Sequence, residues 1–127
     1  MALPKPTEAE IAILRILWFR GPSTVRDVLG EMDGSTGYTT VLKTMQIMNE
    51  KGLLLRDETA RSHVYRAAAP ESQTLRRIAA DLLDRAFGGS ASKLLVAALS
   101  AKRASRDELD EMLRLIDAAR KAEKESK

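Results

Sequence analysis

The hydrophobic period of this chain breaks in one place. Up to Gly52 the apolar residues recur at helical spacing. In "LLLRDETARSHVYRAA", residues 53–68, they do not. There two short extended runs, Leu53–Arg56 and His63–Ala67, flank a polar tip, Asp57–Ser62, and His63, Val64, Tyr65 and Arg66 alternate as a half-buried strand does. A β-hairpin with a longer loop is the expected product. After Pro70 the helical period returns. A single hairpin among helices admits few architectures, and its position after the third helix narrows them further.

The helices before it carry their own end signals. In "PTEAEIAILRILWFRG", Thr7 and Glu10 have the spacing of a capping box, Ile11, Leu14, Leu17 and Trp18 form one apolar face, and Gly21-Pro22 stops the helix. "STVRDVLGEM" predicts a shorter helix beginning near Ser23 or Thr24, with Val25, Val28, Leu29 and Met32 inward. "GYTTVLKTMQIMNEKGLL" predicts a third, closed by Gly52. Helix, helix, helix, hairpin is the order of a winged helix-turn-helix. The fold expected is mainly α with a small β-hairpin.

Residues 71–127 predict three more helices. Leu75, Ile78 and Leu82 stripe the first, Leu94, Leu95 and Leu99 the second, and Leu109, Leu113 and Ile116 the third, which opens on Ser105 and Glu108. Under sixty residues in three short helices bury too little surface to be comfortable alone. Pairing with a second copy would cover these stripes. The expected division is therefore a DNA-binding winged helix over residues 1–70 and a helical dimerisation region over 71–127.

The third helix poses the functional question. Placed at about 100° per residue, Val41, Met45 and Met48 fall on one side, and Thr39, Thr40, Lys43, Thr44 and Gln46 on the other. Glu or Lys would serve a merely solvated face better than short hydroxyls do. Threonine offers a hydroxyl to a phosphate or base edge and a methyl to thymine. Lysine reaches phosphate or guanine, and glutamine pairs with adenine. Arg61 and Ser62 at the wing tip suit backbone or minor-groove contacts. The bland alternative is a solvated face on a winged helix that binds only protein.

Charge and composition exclude more than they assert. The net charge is +3 with 21 bases against 18 acids, and residues 1–66 hold nine bases against eight acids, so any basic surface must come from placement. With no cysteine, disulfides, thiolate metal sites and cysteine nucleophiles are out. His63 is the only histidine, too isolated for a triad or a metal site. Asp107, Glu108, Asp110 and Glu111 suit the start of the last helix, where they complement its dipole. No enzyme, cofactor or metal is expected. No apolar run is long enough to span a bilayer, and the cytoplasm is the expected location.

Taken together, "PTEAEIAILRILWFRGPSTVRDVLGEM", "YTTVLKTMQIMNEKGLL", "VYRAA" and "LLDRAFGGSASKLL" resemble the penicillinase-repressor family of bacterial transcription regulators, with its antibiotic-resistance repressors and a copper-responsive branch. The resemblance covers nearly the whole chain. It implies a homodimeric repressor whose winged helix binds half of an inverted-repeat operator and whose C-terminal helices dimerise. It further implies relief of repression by cleavage in the dimerisation region, through a membrane sensor with a zinc protease domain. By position the scissile bond would fall near Ala97 and Ala98. The family's best-known members carry Asn-Phe there, and this chain does not. The copper branch binds its metal through cysteines, which this chain lacks.

Overall fold

The computed structural model of the chain describes residues 5–59 and 61–126. Its elements run α1 (Glu8–Arg20), α2 (Val25–Gly30), α3 (Tyr38–Lys51), β1 (Leu54–Asp57), β2 (Val64–Ala67), α4 (Glu71–Ala86), α5 (Ala91–Ala101) and α6 (Arg106–Glu125). Three helices followed by a two-stranded antiparallel hairpin make a winged helix. The chain divides into two compact units, Met1–Asp81 and Leu82–Lys127, and the division falls within α4.

Each early helix is started by its own sequence. The Thr7 hydroxyl accepts from the Glu10 N–H, and Glu10 Oε1 accepts from the Thr7 N–H at 2.9 Å. The same reciprocal pair recurs between Thr24 and Asp27. The Thr24 N–H and then its hydroxyl hold the Asp27 carboxyl below the usual carboxylate range. The α3 helix ends on Gly52 in the left-handed region at φ 87°, where a side chain would be strained.

The buried core lies in the first unit. Ile13, Leu14 and Leu17 of α1 meet Val25 and Val28 of α2, Val41, Met45 and Met48 of α3, and Leu53, Leu54 and Tyr65 of the wing. The inward face of α1 is centred differently from the expected one. Ile13 is buried, whereas Ile11 and Trp18 are half-buried. This helix is apolar at nearly every position from Ile11 to Phe19, so its pattern alone cannot fix which stripe turns inward. Trp18 instead uses its indole N–H, which donates to the Ala69 carbonyl at 3.1 Å and ties α1 to the chain leaving the wing.

The hairpin pairs Leu54 with Ala67 and Asp57 with Val64, so β1 sits one residue later than expected and β2 starts one later. Leu53 is claimed by other bonds. Its N–H closes α3 on the Met48 carbonyl, and its own carbonyl accepts from the Ala68 N–H. On the far side of β2, Ser23 and Tyr65 exchange both backbone bonds, at 2.9 and 2.8 Å, so the turn after α1 adds a one-residue third strand.

The described residues of α4, α5 and α6 include none that is buried. Ser90 starts α5 by accepting from the Lys93 N–H, and Ser105 starts α6 by accepting from the Glu108 N–H. No helix among the described residues is long and apolar enough to cross a membrane.

Candidate nucleic-acid interface

The sorting of α3 by period is what the structure contains. Val41, Met45 and Met48 are at most 1% exposed, while Thr39, Thr40, Lys43 and Gln46 all lie on the outside. Thr44 differs from its neighbours. It is half-buried, and its hydroxyl donates back to the Thr40 carbonyl at 2.8 Å, which leaves only its oxygen lone pairs for an incoming donor. Ile47 and Glu50 share the exposed side toward the C-terminal end. The polar part of the exposed face thus runs from Thr39 to Gln46, within the first two and a half turns.

That end of α3 is open to an acceptor. Its N-cap is Gly37, which supplies no side-chain cap, so the first N–H groups are left for whatever approaches along the axis. Arg61 and Ser62 of the wing tip are exposed and share with this end an open cleft of about 300 Å³, lined also by Arg26, Tyr38, Leu42 and His63. The cleft joins the wing tip to the N-terminal end of α3 through Tyr38 and Leu42, while Thr39, Thr40, Lys43, Thr44 and Gln46 do not line it.

Two residues of that surface escaped the sequence reading. Arg26, exposed on α2, lies with its guanidinium 4.9 Å from the centroid of the Tyr38 ring at the start of α3. The ring orients the cation without neutralising it. The "TVRDV" and "GYTT" segments contain both residues, yet nothing local in either segment says that they meet. His63 stands beside them with its Nε2 3.9 Å from Glu58.

The wing and the helix are held in register by bonds behind the surface. Asn49 Nδ2 donates to the Leu54 carbonyl at 3.0 Å, joining the end of α3 to the start of β1. On the hairpin, the Tyr65 phenol first, and then the charge of Glu58, holds Arg56 firmly cationic. At the tip, the Asp57 carboxylate accepts from both the hydroxyl and the N–H of Thr59, which lowers its pKa and pins the turn. At the opposite end of α3, Lys51 reaches Glu10 Oε2 at 2.8 Å and locks the helix to α1.

The remaining predicted residues lie in the helices after the wing. Leu75, Leu82, Leu95, Leu99, Leu109, Leu113 and Ile116 are exposed large hydrophobics, and Leu94 is half-buried. Ile78 differs, because it lines a cavity with Pro6 and Leu53 inside the first unit. Ala97 and Ala98 sit in the middle of α5.

The sequence profile of the family described as Penicillinase repressor matches residues 6–118. The chain belongs to that family. The penicillinase repressor of Bacillus licheniformis is 21% identical over 127 residues, which cover 97% of this chain and 98% of the relative. The crystal structure of M. tuberculosis Rv0081 aligns with a TM-score of 0.48 at 22% identity, over 65% of this chain and 81% of that one. The family is one of transcriptional repressors, so membership makes regulation of transcription this chain's class of function.

Proposed function

We propose that this protein is a sequence-specific DNA-binding repressor that acts as a homodimer on an inverted-repeat operator. The observation that carries the reading is the exposed polar face of α3 together with the cleft that the start of this helix forms with the wing tip. Exposed Thr39, Thr40, Lys43 and Gln46 stand along a helix with no side-chain cap, and Arg26, Arg61 and Ser62 border the open cleft at the N-terminal end of that helix. The helix inserts into the major groove with Thr40 and Gln46 at base edges. Arg26, Arg61 and Ser62 hold the flanking phosphates.

Dimerisation supplies the second half-site. The unburied stripes on α5 and α6 are the surface for it, and a two-fold axis there would present two α3 helices to one face of the duplex. Repression is relieved, on this reading, by cleavage near Ala97 and Ala98 through a membrane sensor metalloprotease system. Because those residues are helical, α5 must unwind locally before a protease can take the backbone in extended form.

The test is a mobility shift of the full chain on the DNA upstream of its own gene and on random DNA, repeated across salt. Operator-selective binding that weakens linearly in log salt supports the reading. A chain that shifts neither DNA at low salt is a protein-binding module instead.

A further inference from the structure

His63 is the chain's one histidine, and it lies on the wall of the open cleft between the wing tip and the start of α3. Its side chain is 47% exposed. The charged and titratable groups around it come from three elements. Arg26 borders the cleft from α2, Tyr38 from α3, and Arg61 and the buried Tyr65 from the wing. From the hairpin tip, Glu58 Oε1 comes to 3.9 Å from His63 Nε2, which is beyond hydrogen-bond reach. The same oxygen sits 2.7 Å from the Arg56 guanidinium, so its charge is already shared with another cation. Asp57 spends its carboxylate on the hydroxyl and the N–H of Thr59.

We propose that His63 is a proton-dependent contact to the DNA backbone, so that affinity for DNA rises as the pH falls from about 8 to about 6. The role rests on the DNA reading above and adds to it both a residue and a condition. Histidine is the side chain that ordinarily changes charge within this range. A neutral imidazole brings one N–H donor and no charge, whereas the imidazolium donates from both nitrogens and is cationic. Protonation takes the cations on the cleft wall from two, Arg26 and Arg61, to three. A phosphate set among them attracts the added charge, and by linkage the proton attracts the phosphate to the same degree. Glu58 does not cancel the gain, because Arg56 holds it closely and His63 only at a distance.

The contact is to the backbone, so it carries no sequence information. Protonation should strengthen binding to operator and to random DNA alike, and leave the preference between them where Thr40 and Gln46 set it. With a single histidine in the chain, one substitution removes the response.

The full chain is titrated by fluorescence anisotropy against random duplex DNA and the duplex upstream of its own gene, at about pH 6 and about pH 8 and at matched salt. Both DNAs should bind about fivefold tighter for each winged helix at the lower pH. The log-log salt slope should steepen by about 1 per half-site. His63→Gln cannot take up the proton and should bind at both pH values as the unaltered chain does at the higher one. His63→Lys keeps a charge throughout and should bind at the higher pH as tightly as the unaltered chain does at the lower. Both variants change an exposed side chain, and a urea midpoint verifies that each is folded. Equal affinity of the unaltered chain at the two pH values overturns the proposal. So does a full pH response in His63→Gln, or a His63→Lys that binds no tighter than His63→Gln at the higher pH. Each of these leaves the DNA reading standing, whereas a chain that binds neither DNA at either pH overturns both.

Discussion

On the proposed reading, individual side chains on the outer surface of α3 contact bases and those at its border contact phosphates, and substitution can separate the two. Thr40 and Gln46 point away from the core, so Thr40→Ala and Gln46→Ala should leave the urea midpoint nearly unchanged. Each should narrow the gap between operator and random DNA by about 1–3 kcal/mol. An equal loss on both DNAs in the mobility shift would place them on the backbone. Arg26 and Arg61 should show the opposite signature. Either change to Ala should weaken binding to every sequence alike and flatten the log-log salt slope by about 1 per half-site. A salt titration with an unaltered slope would remove that residue from the phosphate contacts. The α3 face was legible because Val41, Met45 and Met48 fall on one side of the helix and the residues opposite are small or polar except for Ile47. Arg26 was not legible, because its meeting with Tyr38 is made by the turn between α2 and α3 and leaves no trace in the spacing of either.

At the scale of elements, the sequence speaks clearly about where helices begin and stop, and poorly about what long side chains reach. Thr7 and Glu10 announce the start of α1, and Gly52 the end of α3. The second oxygen of Glu10 goes to Lys51, 41 residues away, which no local pattern records. Similarly, α1 is apolar almost all round, and only packing in the core shared with α2, α3 and the wing decides that Ile13 goes in. The Glu10–Lys51 tie yields a stability prediction. Burial works to raise the Glu10 pKa, but the bonds from Lys51 and Thr7 outweigh it, and the net displacement is downward. A lowered carboxylate stabilises the fold above its unfolded value of about 4.3, and that contribution is lost as pH falls through the lowered native value. Lys51→Met leaves the buried carboxylate without its cation. It should cost about 1–2 kcal/mol at neutral pH, allowing for the water that already reaches Lys51. Urea midpoints measured down through the acid range should converge, since protonated Glu10 no longer needs its partner. A gap that stays constant with pH would mean that Lys51 acts by packing alone.

For the whole molecule the decisive quantity is the number of winged helices that reach DNA together. One winged helix would offer the polar face of α3 up to Gln46 and a wing tip, a small set of contacts. Were a second joined to it through α5 and α6, as proposed, that one would become an intramolecular binder, with a gain on the order of 10²–10⁴. Two α3 helices would then lie about 34 Å apart on the duplex. Leu113 is 63% exposed and Ile116 43%, so charging them removes nothing that the single chain buries. The pair Leu113→Glu and Ile116→Glu should therefore leave the first unit as stable as before. It should bury four carboxylates across a symmetric interface and drive the protein to monomer. Sedimentation would register the change in mass, and affinity for the full operator should fall toward that for a half-site. Binding to an isolated half-site should not change, because the α3 surface is untouched. Cleavage near Ala97 and Ala98 predicts the same phenotype by another route, since it severs α6 from the winged helix while sparing every residue of α3. A doubly charged variant that still sediments as a dimer and keeps full operator affinity would move the interface off α6, and cleavage in α5 would then have no way to release DNA.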